Sequence, residues 1–299
     1  MSPVRDHRWW NASPRGTVEW RQQVVHPQGA LIMAKTWFIT GSSRGFGREW
    51  AQAALERGDH VAATARDVSL LTPLVERYGD AVLPIPLDVT DRSAVFAAVQ
   101  RAHAHFGSLD IAVNNAGYGH FGMVEELDEA ELRAQLETNF FGAVWVTQAV
   151  LPFMRAQRSG RILQVTSEGG VRAFPGIGAY HASKWALEGL SESLAQEVAA
   201  FDIHITNVEP GPYATDWLDR GARHSEPHPD YAEVRAITAP DFEVGDPHAT
   251  REAILRIVDA DKPPLRILLG KSFTDVAALY EERLSTWRQW QPVSLAAFG

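Results

Sequence analysis

KTWFITGSSRGFGREWAQAALERG, residues 35–58, decides the fold. Its first six residues are aromatic, β-branched or apolar apart from Lys35, which at this length reads as a buried strand. Three glycines follow, Gly41, Gly45 and Gly47, spaced GxxxGxG. A helical pattern then runs to Gly58, a natural stop. Glycines between a strand and a helix let the backbone approach a pyrophosphate, and the helix N-terminus offers free N–H groups and the positive end of its dipole. A glycine cluster alone would serve equally as a tight turn, so the rest of the chain has to decide.

Outward from this unit the alternation continues. HVAATA, AVLPIPLDV, LDIAVNNAG, RILQVTS, HITNVEPG and LRILLG read as further strands. Helical patterns lie between them at 69–79, 91–107, 125–137, 139–157, 179–200 and 247–260, with Asp246 as cap and Pro247 in the first position. A last amphipathic helix is expected over about 272–290. Strands alternating with helices at this spacing predict an α/β fold: a Rossmann-type, doubly wound, parallel seven-stranded sheet with helices on both faces. We expect residues 33–299 to form a single domain with a substrate loop at about 213–246, where the sequence is polar and weakly periodic. Residues 1–32 show no period and no signal-like apolar core, and we expect an upstream extension or disordered tail, with the natural start at Met33.

Composition narrows the function. A net charge of −9 over 299 residues argues against nucleic-acid and anionic-membrane partners. Hydrophobic residues make up 45% of the chain, enough for a substantial core. Cysteine is absent, so disulfide and thiolate chemistry are excluded, which suits a cytoplasmic location. No apolar run reaches the roughly 20 residues of a membrane span.

The second strand informs on the cofactor. An NAD site places an acid about 20 residues after the glycines, on the ribose hydroxyl. Here the strand ends at Arg66, and Arg66 with Arg44 offers guanidinium groups to a 2′-phosphate. That favours NADP(H). Asp67, one residue on, keeps NAD(H) possible.

YHASK, residues 180–184, carries the chemistry. Only four lysines occur, Lys35, Lys184, Lys262 and Lys271, and Lys184 lies one helical turn after Tyr180. A free phenol has a pKa of about 10. An ammonium about 4 Å away contributes roughly 4 kcal/mol at an effective dielectric of 20, enough to lower that value by up to roughly 3 units before desolvation. Tyr180 is therefore expected to act as general acid or base while hydride moves to or from the cofactor.

With these motifs in order, the chain from Lys35 onward resembles the short-chain dehydrogenase/reductase family. TGSSRGFG matches its cofactor loop, here Gly41, Ser43, Arg44, Gly45, Phe46 and Gly47. The resemblance implies adenine contacts from Asp88 and Val89. It further implies that Asn115, Ala116 and Gly117 line the cofactor, and that Pro210, Gly211 and Thr215 touch its nicotinamide end. It assigns a catalytic set of Asn139, Ser167, Tyr180 and Lys184. In this set Ser167 holds the substrate oxygen, Lys184 binds the nicotinamide ribose, and Asn139 anchors a relay water. The run FPGIGAYHASKWALEGLSESLAQEV looks most like 17β-hydroxysteroid dehydrogenase-like and retinol dehydrogenase-like members. A homo-oligomer through the helices near 139–157 and 179–200 is implied in the same way.

The expected activity is thus NADP(H)-dependent interconversion of a secondary alcohol and a ketone. The alternatives are an NAD-dependent alcohol dehydrogenase and a non-catalytic NADP(H)-sensing protein, which would not need the Tyr–Lys pair. Glu168 and His181 are expected to face solvent. Tyr213 and Trp217 are expected either to line the substrate pocket or to pack a lid. Trp287 and Trp290 are expected in core or subunit interface. His224 and His228 flank a proline and lack a third ligand, so no metal site is expected.

Overall fold

The computed structural model describes residues 34–217, 221–238 and 243–299. The proposed extension at 1–32, and Met33, lie outside the described residues, as do 218–220 and 239–242 of the expected substrate loop.

Seven strands form the central sheet: β1 (Thr36–Ile39), β2 (His60–Ala65), β3 (Val82–Pro86), β4 (Ile111–Asn114), β5 (Gly160–Val165), β6 (Ile203–Pro210) and β7 (Arg266–Leu269). Their spatial order is β3-β2-β1-β4-β5-β6-β7, and all neighbours are parallel. The order reverses between β1 and β4, so a crevice opens there at the carboxyl ends of the strands, where doubly wound sheets bind ligands. Pairing of Ile39 with Val113 brings the loops after β1 and β4 together at that crevice.

Helices cover both faces: α1 (Gly45–Glu56), α2 (Thr72–Tyr78), α3 (Arg92–Phe106), α4 (Glu129–Leu136), α5 (Gly142–Gln157), α6 (Gly178–Val198), α7 (Ala232–Thr238), α8 (Thr250–Asp259) and α9 (Phe273–Phe298). Strand side chains alternate between two cores, as a pleated sheet requires. Trp37 and Ile39 pack with Trp50 of α1 and Ile254 of α8 on one face. Phe38 packs with Val99, Val150 and Met154 of α3 and α5 on the other.

The structure departs from the sequence pattern in two places. The helices expected at 125–137 and 139–157 run on without a break from 129, through a π-helical turn at Glu137–Phe141. A π turn inserts one residue into the helix and re-aims its neighbours, and such turns cluster at functional sites; this one carries Asn139. Helix α9 continues to Phe298, well beyond the expected end near 290. Trp287 and Trp290 on it are 68% and 62% exposed, so they are not core residues. From Glu281 to Phe298 every residue of α9 but Arg283 is exposed, so this half of the helix has no face packed on the core.

Candidate active site

A cleft of about 1780 Å³ follows the carboxyl ends of the strands, and it takes in most of the residues singled out from the sequence. At one end lie Gly41, Ser43, Arg44, Gly45, Phe46, Arg66, Asp88 and Val89; Asn115, Ala116 and Gly117 follow; Ser167, Tyr180, Lys184, Pro210, Gly211 and Thr215 close the other end. Gly47 and Asn139 stand just behind this wall.

The glycine loop is shaped by backbone constraints. Gly41 has φ +68°, in the left-handed region open to glycine. Gly47 is required for closeness: a Cβ there would meet Gly41 O at 2.4 Å and Asn115 Nδ2 at 2.5 Å. Asn115 holds this loop, its Nδ2 donating to Thr40 O at 2.9 Å and Gly41 O at 3.1 Å. Thr40 Oγ1 accepts from the backbone N–H of Asn115 and Ala116, joining the loops after β1 and β4. The first turn of α1 has no side-chain cap. Its N–H groups thus offer a cradle for an anion, and the residues present fit a dinucleotide pyrophosphate.

The two arginines and the neighbouring acid separate clearly. Arg66 is exposed at the cleft edge. Asp67 instead accepts from Ser69 N at 3.0 Å and Ser69 Oγ at 2.6 Å, which caps the next turn and holds its carboxyl below the usual range. Arg44 reaches Asp216 at 4.0 Å across the cleft mouth, both side chains being about half exposed. Asp88 accepts from Thr90 N and Oγ1, and Val89 is buried beside Gly142.

Tyr180 and Lys184 are both buried, on the inward face of α6. Lys184 Nζ donates to Val165 O at 2.7 Å and stands 5.6 Å from the Tyr180 ring centroid. Ser167 Oγ accepts from Gly169 N at 3.0 Å and donates to Pro210 O at 3.4 Å. Asn139 Nδ2 donates to Tyr118 O at 2.9 Å and to Ser183 Oγ at 3.1 Å, while its Oδ1 accepts from Tyr118 N. A Cβ on Gly117 would lie 3.1 Å from Asn139 Oδ1 and 3.6 Å from Lys184 Nζ, so these three residues converge.

Electrostatics correct one expectation. Burial pushes the Tyr180 phenol up to about 12, with Ser167 pulling against it and the Glu168 charge adding to it. Burial likewise brings Lys184 down to about 8, with Glu188 opposing. The phenol is not drawn below its ordinary value as the i, i+4 spacing suggested: burial is the largest influence on it, and it favours the neutral phenol.

Two further expectations are corrected. Glu168 does not face solvent: it pairs with Arg172 at 2.9 Å inside the cleft, its side chain only 12% exposed. His181 is buried, its Nδ1 2.8 Å from Gly169 O and its Nε2 accepting from Phe174 N. It fixes the 167–174 segment beside Ser167. Adjacent positions on a helix do face different ways, but here both faces are covered.

Trp217 stacks edge-on against Tyr180 at 5.0 Å and against Phe121 at 5.6 Å, and Tyr213 meets Phe46 at 5.1 Å. Both line the cleft. Sequence reasoning did not find Phe121, Met123, Phe174 and Ile177, which give the Tyr180 end an apolar wall. Phe174 and Ile177 stand just before Tyr180 in sequence, but nothing in the pattern shows that they and Phe121 turn toward the same cleft. Among the described residues no group of three or more His, Asp or Glu could hold a metal, and no helix is long and apolar enough to cross a membrane.

Comparison with known proteins agrees with this geometry. The pattern of the short chain dehydrogenase family matches residues 35–225. The oxidoreductase BOA17 of Botryotinia fuckeliana is 44% identical over 275 residues, covering 89% of this chain and all of that protein. The crystal structure of a short-chain dehydrogenase from Streptomyces avermitilis superposes with a TM-score of 0.84 at 39% identity, covering 89% of this chain and 99% of that one. The structure of ElxO with NADP bound superposes with a TM-score of 0.68 at 25% identity, covering 79% and 96% of the two chains. The chain belongs to the short-chain dehydrogenase/reductase family. It is an NAD(P)-dependent oxidoreductase.

Proposed function

We propose that the protein reduces a ketone to a secondary alcohol with NADPH, or runs the reverse with NADP⁺, in the cytoplasm and as a homo-oligomer through α5 and α6. The observation that carries this reading is the convergence of Ser167, Tyr180 and Lys184 at one end of a cleft whose other end is the glycine loop.

The glycine loop, Asp88, Val89 and Asn115–Gly117 would hold the cofactor, Arg66 and Arg44 its 2′-phosphate, and Pro210, Gly211 and Thr215 its nicotinamide end. Asp67 is committed to Ser69, which weighs against its use on a ribose hydroxyl. The bound cofactor supplies or accepts the hydride. Ser167 Oγ orients the substrate oxygen, and Tyr180 donates the proton to it. A phenol near 12 is protonated throughout the neutral range, which suits donation and hence reduction. Lys184 bonds the ribose and, through Asn139 and the Tyr118 backbone, connects the phenol to a proton relay. The apolar wall of Phe121, Phe174 and Trp217 suits a hydrophobic ketone.

NADPH oxidation in the presence of a panel of hydrophobic ketones tests the reading. Reductive turnover is expected to stay flat through neutral pH and to fall above about 8, where Lys184 loses its proton. Rising turnover through pH 9 would instead mark a phenolate base and contradict Tyr180 as the proton donor.

A further inference from the structure

Glu188 lies one turn beyond Lys184 on α6, two turns beyond Tyr180, and is 3% exposed. The three side chains form an i, i+4, i+8 row on one buried helix face. Gly170 packs against the stems of the last two: a Cβ there would lie 3.0 Å from Glu188 Cγ and 3.5 Å from Lys184 Cβ. The Glu188 carboxylate is clamped from the sheet side. Asn207 Nδ2 of β6 and Arg266 Nη1 of β7 both donate to its Oε2. Arg266 also donates to Glu209 of β6 at 3.1 Å and to Glu192 of α6 at 2.8 Å.

A buried carboxylate is costly, and a network of three acids around one guanidinium carries excess negative charge. The cation next to it on the helix is Lys184, whose hydrogen bond goes to a neutral carbonyl, Val165 O. We propose that Glu188 is a positioning residue: clamped by Arg266 and Asn207 against the back of Lys184, it supplies the counter-charge that keeps the lysine an ammonium. This deepens the reading of the site given above and rests on it.

The groups facing the pair are few. Lys184 meets Tyr180 and Glu188 on its own helix, Val165 O on β5 and Asn139 on the π turn. Glu188 meets Glu192 on its own helix, Thr166 after β5, Asn207 and Glu209 on β6, and Arg266 on β7. Burial pushes Glu188 up to about 7, with the charge of Glu209 adding and Thr166, Arg266 and Asn207 opposing. Of the acids in the network, Glu188 is the one that raises Lys184 against its desolvation.

The test uses the scarcity of lysine. Lysine labelled with ¹³C at Cε gives four side-chain signals, and Lys184→Arg identifies the one that disappears. In Glu188→Gln the Lys184 titration is expected to fall by about one pH unit. Glu188→Asp, which keeps the charge, is expected to restore most of it, and Glu192→Gln, at the exposed end of the network, to leave it in place. Should Glu188→Gln fail to fold, Asn207→Ala gives the same sign with a smaller shift, because losing the amide favours protonated Glu188. The alkaline limb of NADPH binding should move down with the NMR titration. A Lys184 titration unchanged in folded Glu188→Gln, or one displaced equally in Glu188→Asp, would overturn the proposal and leave Glu188 a packing residue. The NMR readout needs no turnover, so it stands apart from any failure of the proposed reaction.

Discussion

Tyr180→Phe is expected to lower turnover by about a thousandfold, within the range of loss typical for a general acid, while NADPH binds within about threefold of wild type. The substitution removes one oxygen from a ring that is 7% exposed and wedged against Trp217. The aromatic body stays, so the wall of the cleft stays. The backbone carbonyl of residue 180 still accepts from Ser183 Oγ, which orders the turn that receives Asn139 Nδ2. Lys184 keeps its bond to Val165 O. What is lost is the phenol proposed as proton donor beside Ser167. Paired measurements of turnover and NADPH binding check this; turnover within tenfold of wild type would move the acid elsewhere.

Gly47→Ala is expected to lower kcat/KM by at least about a hundredfold, the cost of displacing reacting groups by roughly 1 Å. The added methyl would fall 2.4 Å from a backbone oxygen and 2.5 Å from the Asn115 amide. Neither is the free end of a flexible chain. Gly41 O belongs to the loop, and Asn115 Nδ2 is the clasp holding that loop to β4. Relief has to open the junction between the first and fourth strands, where the pyrophosphate would sit. Gly189→Ala is the control: on α6 it has open space for a Cβ, and alanine favours the helix by up to about 1 kcal/mol. Fluorescence titration with NADPH and thermal melts of both variants separate loss of binding from loss of fold. Wild-type affinity and kcat/KM in Gly47→Ala would mean the loop has more slack than its packing shows.

The fold was legible because its signals are local. A buried parallel strand must be a short apolar run, and a helical pattern that opens at glycines and stops at Gly58 is bounded on both sides, so Thr36–Ile39 and Gly45–Glu56 announce themselves. The motif residues were legible for the same reason, since Tyr180 and Lys184 share a helix face by spacing alone. Features that depend on distant segments were not. The π turn at Asn139 lies where the sequence pattern reads a break between two helices. Glu168 reads as a surface acid until Arg172 folds back upon it, and His181 until the 167–174 segment covers it. The direction of the Tyr180 shift also depends on burial, which no i, i+4 spacing reveals. The wall of Phe121, Phe174 and Trp217 is assembled from three segments and cannot be read from any one of them.

The most direct test of the proposed preference for NADP(H) is a fluorescence titration of the wild-type protein and Arg66→Ala with NADPH and with NADH. Wild type is expected to bind NADPH at least about tenfold more tightly, and Arg66→Ala to lose most of that margin, the worth of a charge-assisted bond of roughly 1.5–3 kcal/mol. Equal or tighter binding of NADH by the wild type would contradict that preference.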